Sequence, residues 1–213
     1  MTARPFSPAV FRDAARALAA ISRRLYGHGW SPATSSNYSM RLNEEYCAIT
    51  VSGKDKGQLT EADIMVVDLH GKPATDGKPS AETGLHTQIY RRFPEVGAVL
   101  HTHSIASTAL TMHWPDSNTL TLSGYELLKA MEGISTHATE LVIPVFDNTQ
   151  NIDALADQVD AMMAAAGMPA AYLIRGHGLY TWASTIEHCY RQIEALECLF
   201  QVELQRRQIG DIR

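Results

Sequence analysis

The sequence is poor in cysteine and has no cluster of basic residues, and each shortage excludes a class of protein. Its three cysteines, Cys47, Cys189 and Cys198, are an odd number with no closely spaced pair. A disulfide framework or a cysteine zinc site is therefore not expected, and reduced thiols in a cytoplasmic protein are the simplest interpretation. The net charge of -5 and the absence of a basic run argue against nucleic-acid binding.

Long apolar runs are also missing. No stretch approaches the roughly 18 consecutive apolar residues of a transmembrane helix, and no apolar segment of a secretory signal follows Met1. We therefore expect no membrane partner and a cytoplasmic location. The hydrophobic content of 45% and the charged content of 19% are typical of a globular protein. A chain of this length is expected to form one domain over residues 1–213.

Signals for strands and helices alternate along the chain. Helical spacing of apolar residues predicts a first helix from Pro8 to about Gly27, and an alanine-rich helix is predicted over 152–166, ended by Gly167. A short apolar run predicts a strand over 141–145. Further helices are predicted to begin at Ser80, as the N-cap, and to occupy 123–131. This mixed order predicts an α/β sandwich around one central sheet.

The stretch His101-Thr102-His103 follows an apolar run, 96–100, that predicts a buried strand. Because successive side chains of a strand alternate between its faces, His101 and His103 would point the same way. Two imidazoles presented to one point can hold two coordination positions of a metal ion. The nine histidines of the chain would supply about 0.4 such pairs by chance, so the pattern needs support from elsewhere.

His177 supplies that support. It lies between Gly176 and Gly178 in a predicted turn after a strand, where it is either an incidental turn residue or a third ligand. Three protein ligands with an open fourth position form a catalytic zinc site. The remaining histidines are interpreted as surface or core residues; they are His28, His70, His86, His113, His137 and His188.

Small polar loops occur in three separate segments, at Ser36-Asn37, at Ser52-Gly53 and at Ser80. Hydroxyl, amide and backbone N–H groups from such loops can bind a phosphate, although ordinary turn and cap chemistry is the better explanation of any single loop taken alone. No P-loop or dinucleotide fingerprint is present.

Two carboxylates are candidates for acid/base work beside a metal site. Glu82 follows Ser80 closely, and Glu126 lies after the His-x-His pair. A metal site that acidifies a C–H bond still needs a positioned base. Either residue could instead be a solvated surface glutamate.

Together these features resemble the class II aldolase/adducin-head family over about residues 11–204. The features that carry the resemblance, in chain order, are Asn37, Ser52-Gly53, Pro79-Ser80-Ala81-Glu82, His101-Thr102-His103 and His177. The resemblance implies a three-layer α/β/α sandwich around a mixed, largely antiparallel central sheet. It also implies a homotetramer with sites at subunit boundaries.

The same resemblance implies roles for individual residues. One Zn²⁺ per subunit would be held by His101, His103 and His177. The phosphate-binding positions would be Ser36, Asn37, Ser52, Gly53 and Ser80. Sugar-phosphate aldolases of the family often carry Ser-Ser-Glu where this chain has Ser80-Ala81-Glu82, so one phosphate hydroxyl is missing.

Within the family, stretches 124–129, 142–149 and 176–182 resemble a dehydratase branch of methionine salvage. The implied activity is zinc-dependent loss of water from a phosphorylated ketose, 5-methylthioribulose 1-phosphate, giving 5-methylthio-2,3-dioxopentyl 1-phosphate. Glu82 matches the catalytic glutamate of the aldolase branch. The dehydratase branch places its acid/base at Glu126, which is therefore preferred.

Two other functions stay open at this point. An aldolase or a pentulose-phosphate 4-epimerase would use the same scaffold and metal and would break a different bond. A non-catalytic interaction domain is the third alternative, and the retention of all three histidines argues against it.

Overall fold

The computed structural model of the protein describes residues 5–210, and one central sheet dominates it. Its strands are, in chain order, β1 (Asn37–Arg41), β2 (Tyr46–Thr50), β3 (Ile64–Asp68), β4 (Ala98–Thr102), β5 (Thr119–Ser123), β6 (Glu140–Phe146), β7 (Ala171–Ile174) and β8 (Gly178–Ala183). The α-helices are α1 (Pro8–Gly27), α2 (Thr83–Arg92), α3 (Ile105–His113), α4 (Ile152–Ala166) and α5 (Ile186–Gly210).

The strand order is β3-β2-β1-β4-β8-β7-β6-β5. Every neighbouring pair is antiparallel except β6 and β7, which run parallel. The mixed, largely antiparallel sheet implied by the family resemblance is therefore confirmed. β4 lies in the middle of this sheet, with His101 opposite Asn37 of β1 on one side and opposite Tyr180 of β8 on the other.

Helices cover both faces of the sheet, each over its own apolar core. α1, α3 and α5 contribute Leu18, Leu110 and Leu196 to the core on one face. α2 and α4 contribute Ile89 and Val159 to the core on the other. Successive side chains of a strand point to opposite faces of the sheet, so Leu100 of β4 packs in the first core and Val99 packs in the second. The architecture is the three-layer α/β/α sandwich.

Local signals located several elements correctly. α1 spans the residues predicted for it, with Pro8 at its first turn, and α4 ends at Gly167, which has φ of +84°. A positive φ of this kind suits glycine because it has no side chain to clash. All three cysteines are free thiols. Within residues 5–210, no helix is both long enough and apolar enough to cross a membrane.

Two helix predictions were wrong in their positions. The helix expected to begin at Ser80 begins at Thr83, because residues 80–82 form a turn in which Thr83 N–H donates to Ser80 O at 3.1 Å. The helix expected over 123–131 is replaced by the end of β5 and a short 3₁₀ turn, Glu126–Ala130. Gly124, with φ of +75°, separates these two elements.

Candidate metal and active site

Three imidazoles meet where β4 ends and β8 begins. His101 belongs to β4, His103 follows that strand, and His177 lies in the turn before β8. The ring centroid of His101 is 4.5 Å from that of His103 and 5.0 Å from that of His177. One possible ligand atom from each histidine and one from Glu82 all lie within 4.8 Å of one another. This His/Glu cluster is compatible with a metal ion.

Contacts outside the cluster orient the rings. His101 Nδ1 lies 2.9 Å from Leu179 O, so Nδ1 carries the hydrogen and the Nε2 lone pair faces the cluster. The backbone N–H of His103 donates to Trp30 O at 2.8 Å, which fixes the chain just after β4. The Tyr180 ring stacks on His101 with centroids 4.0 Å apart. These contacts hold the His101 ring against β8 and anchor His103 just after β4.

Burial keeps the imidazoles of His101 and His103 neutral. Removal of water from the charged form lowers the pKa of His101 to about 3 and that of His103 to about 2. Neutral imidazole is the form that binds a metal ion. Three imidazole nitrogens and a nearby carboxylate make a donor set that suits Zn²⁺ or a similar divalent ion.

Glu82 is held as an ionised carboxylate. Burial acts to raise its pKa, but the imidazoles of His101 and His177 and the amide of Asn37 outweigh burial and lower it far below the usual value. Glu82 Oε2 accepts hydrogen bonds from Asn37 Nδ2 at 2.8 Å and from Tyr180 OH at 2.9 Å. Its Oε1 lies 3.0 Å from His177 Nε2. The carboxylate is thus fixed beside the histidine nitrogens.

His86 supports this arrangement from the core. It is fully buried, its Nε2 hydrogen-bonds Asn37 Oδ1, and its Nδ1 lies 2.7 Å from Ser39 Oγ. Burial lowers the pKa of His86 to about 4, so it is neutral at physiological pH. Since Asn37 must offer its amide N–H₂ to Glu82, its oxygen faces His86, which holds the proton on Nε2. The interpretation of His86 as a surface or core histidine is confirmed for the core.

A polar cavity of about 130 Å³ adjoins the cluster on one side. It is lined by all five positions predicted to bind phosphate, which are Ser36, Asn37, Ser52, Gly53 and Ser80. The backbone of Ser36 has φ of +72°, a conformation that costs energy in a residue with a side chain. Lys56 also lines this cavity, although no motif in the sequence indicates it as a site residue.

A second cavity of about 330 Å³ lies on the other side of the cluster. Glu82 and His103 line both cavities. The second one is completed by residues that include Ala81, Ile152 and the turn at Gly176. An extended substrate could therefore place its ends in the two cavities and its middle at the histidines.

Glu126 lies outside the cluster. It begins the 3₁₀ turn after β5, its side chain is 68% exposed, and it forms an ion pair with Lys129. Its Oε2 also lies 3.4 Å from Nδ1 of His137. Of the two candidate carboxylates, a single chain brings only Glu82 to the histidines, as far as residues 5–210 are concerned.

The sandwich fold and the His/Glu cluster agree with sequence comparison: the chain belongs to the Class II Aldolase and Adducin N-terminal domain family, matched over residues 16–204. The chain is 62% identical over 209 residues to a methylthioribulose-1-phosphate dehydratase of Alcanivorax borkumensis, covering 98% of this chain and 99% of that one. It is 52% identical over 200 residues to a protein of the same name from Marinobacter nauticus, covering 93% and 96% of the two chains.

A solved structure supports the fold. The L-fuculose-1-phosphate aldolase of Thermus thermophilus superposes with a TM-score of 0.73 at 24% identity, covering 95% of this chain and 98% of that one. At this identity the likeness concerns the fold alone. The family resemblance drawn from the sequence is confirmed.

Proposed function

We propose that this chain is a hydro-lyase that removes water from 5-methylthioribulose 1-phosphate and forms 5-methylthio-2,3-dioxopentyl 1-phosphate, a step of methionine salvage. The supporting observation is the His/Glu cluster beside a polar cavity, in a chain 62% identical to a methylthioribulose-1-phosphate dehydratase. The enzyme is proposed to work in the cytoplasm as a homotetramer with one Zn²⁺ per subunit.

The proposed zinc ligands are Nε2 of His101, His103 and His177. When bound, the ion polarises the ketose carbonyl and acidifies the C–H bond of carbon 3, which is worth several kcal/mol. The chain contributes the neutral imidazoles of His101 and His103 and a third imidazole from the turn before β8. Glu82 lies beside these nitrogens, on the wall shared by the two cavities.

The polar cavity is proposed to bind the phosphate. Hydroxyls of Ser36, Ser52 and Ser80 and the backbone at Gly53 would hold it, with Asn37 forming the wall next to Glu82. Binding of the phosphate, which does not react, would hold carbons 3 and 4 of the substrate beside the His/Glu cluster in an orientation that favours the reaction. The methylthio end would extend into the second cavity, beside Ala81.

Two proton transfers complete the reaction. A base removes the hydrogen of carbon 3, and an acid protonates the hydroxyl of carbon 4 as it leaves as water. The enol that remains moves its O–H proton to carbon 4 and becomes the diketone. A positioned acid or base typically contributes about 10²–10⁴-fold to the rate.

Glu82 and Glu126 are the proposed acid/base residues, and Glu126 remains the preferred one. Glu82 is ionised and lies beside His101 and His177. Glu126 is exposed in its own chain, so in the proposed tetramer it would act at the site of a neighbouring subunit.

Product analysis tests the reaction. Incubation with 5-methylthioribulose 1-phosphate should yield the diketone, identified by NMR and by the mass of one lost water. An aldehyde from carbon–carbon cleavage would instead support an aldolase, and an epimerised ketose phosphate would support an epimerase. A protein that binds no zinc, and in which His101→Ala changes nothing, would support the interaction domain.

Glutamine substitutions test the acid/base residues. Glu126→Gln and Glu82→Gln should each lower kcat by about 10²-fold or more, because a proton is no longer transferred. Glu95→Gln, at an exposed position, is the control. Wild-type turnover in Glu126→Gln would show that the preferred residue is wrong.

Mixed assemblies test whether sites are shared between subunits. Inactive Glu126→Gln and His101→Ala subunits, unfolded together and reassembled, should recover activity if one subunit supplies the histidines and its neighbour supplies the glutamate. Failure to recover activity, with tetramers formed normally, would contradict action of Glu126 across a subunit boundary.

A further inference from the structure

Lys56 is a buried cation that the proposed reaction does not use. Its exposed fraction is 1%. Its ammonium nitrogen donates to the carbonyl oxygens of Lys54 at 2.9 Å and Thr34 at 3.1 Å. No carboxylate oxygen of residues 5–210 lies within 4.0 Å of this nitrogen. A charge in this position is stable only if something else compensates it.

The surrounding chain fixes Lys56 in place. It begins a 3₁₀ turn, Lys56–Gln58, whose N-cap is Asp55. Both carboxylate oxygens of Asp55 are already engaged, by Gly57 N–H at 2.8 Å and by Gln58 Nε2 at 3.1 Å. From α1, Ser22 Oγ donates to Lys56 O at 2.8 Å. The carboxylate of the neighbouring Asp55 therefore accepts hydrogen bonds within the 3₁₀ turn and forms no ion pair with the ammonium group of Lys56.

One donor of the ammonium group remains available. An ammonium group has three N–H donors, and the two carbonyl oxygens use two of them. Lys56 lines the polar cavity, whose other proposed phosphate donors are uncharged. Glu82, an anion on the same cavity wall, would repel a phosphate. A dianion in the cavity would thus need a cation, and Lys56 would need an anion.

We propose that Lys56 is the charged residue of the phosphate subsite and that it makes the site select a phosphomonoester dianion over an uncharged ketose. The proposal rests on the proposed function, which places a phosphate in this cavity.

Phosphate-dependent thermal stability tests the proposal without the reaction. The zinc-loaded protein is unfolded in increasing inorganic phosphate, with chloride keeping the ionic strength constant, as wild type, Lys56→Met and Lys54→Met. Lys54 is the matched control, because it lies two residues away, is exposed and pairs with Asp63 at 3.3 Å. Phosphate should raise the Tm of wild type and Lys54→Met and leave that of Lys56→Met unchanged.

Without phosphate, Lys56→Met should melt at or above the wild-type temperature, because an uncompensated buried charge is removed. In kinetic assays this variant should raise KM for the phosphorylated ketose by about 10–100-fold, with a smaller change in kcat. Lys56→Arg should recover part of the loss. If Lys56→Met does not fold, Lys56→Gln takes its place in both measurements.

Each outcome decides a separate point. A wild-type phosphate response in Lys56→Met overturns the role of Lys56, and no response in the wild type overturns the phosphate subsite itself. If the response is lost in Lys56→Met but the enzyme forms an aldehyde from its ketose phosphate, the role of Lys56 stands and the dehydration reaction fails.

Discussion

Replacing Gly178 with alanine would place a methyl group where β8 passes the end of β4. A Cβ atom at residue 178 would lie closer than 3.0 Å to the carbonyl oxygen of Thr102 and 3.2 Å from Cε1 of His101. Neither neighbour can move easily. Thr102 is paired with Leu179 in the central strands, and the His101 ring is tied to Leu179 O.

The expected magnitude follows from this crowding. Overfilling a close-packed interior costs about 1–3 kcal/mol when the backbone must shift. For a chain of this size, each kcal/mol lowers Tm by about 2–4 °C, so Gly178→Ala should melt about 2–12 °C below wild type. The same shift separates the imidazoles of His101 and His177, so zinc affinity should fall by about 10-fold or more.

The change in Tm is measured by thermal melting monitored with circular dichroism. The change in zinc affinity is measured by competition with a chromophoric zinc chelator. Gly27→Ala is the control: nothing lies within 4 Å of a Cβ atom built there, at the end of α1. This variant should keep the wild-type Tm or slightly exceed it. A Gly178→Ala protein with wild-type Tm and zinc affinity would refute the close approach of the two strands.

Three further results are expected. Burial raises the pKa of Glu197 from 4.5 to about 7, so its neutral form stabilises the fold below about pH 4.5 and that contribution is lost as pH rises through 7. The free energy of unfolding, measured by urea titration at about pH 5 and pH 8, should change less between the two pH values for Glu197→Gln than for wild type. An equal change in both proteins would contradict this. His86→Phe should lower kcat by about 10–100-fold with zinc content unchanged, because Asn37 loses its hydrogen bond to His86 and no longer holds Glu82 firmly. An unchanged kcat would argue against the role of His86 in positioning Asn37. Removing zinc with a chelator should lower Tm by an amount that grows with the free zinc present before removal, and a constant Tm would exclude a bound ion.

Elements with strong local signals were predictable from the sequence. α1 and α4 are bounded by proline or glycine in the positions where these residues favour helix ends. β8 was not predicted, since it is buried on both faces and shows no alternation of polar and apolar residues. β5 does alternate, with exposed threonines and buried leucines, which is the pattern typical of a strand with one face in solvent.

The site was predictable where neighbouring residues act together. The period of a strand places His101 and His103 on one side, and the polar loops line one cavity as expected. The roles of His86 and Lys56 could not be predicted from the sequence, because the residues that contact them come from distant segments of the chain. Asn37 lies 49 residues before His86 in the chain, and Ser22 of α1 lies 34 residues before Lys56. A histidine in a helix and a lysine in a polar loop give no local sign of such partners.

The central position of β4 has a consequence for synthesis of the chain. Leu179, which holds the His101 ring, is made 78 residues later. At about 5–20 residues per second, the ribosome needs about 4–16 s to cover that distance. During this interval β4 can pair with β1 and keeps one edge free, the kind of edge that captures other chains. The His/Glu cluster is therefore complete only after His177 has been made, late in translation.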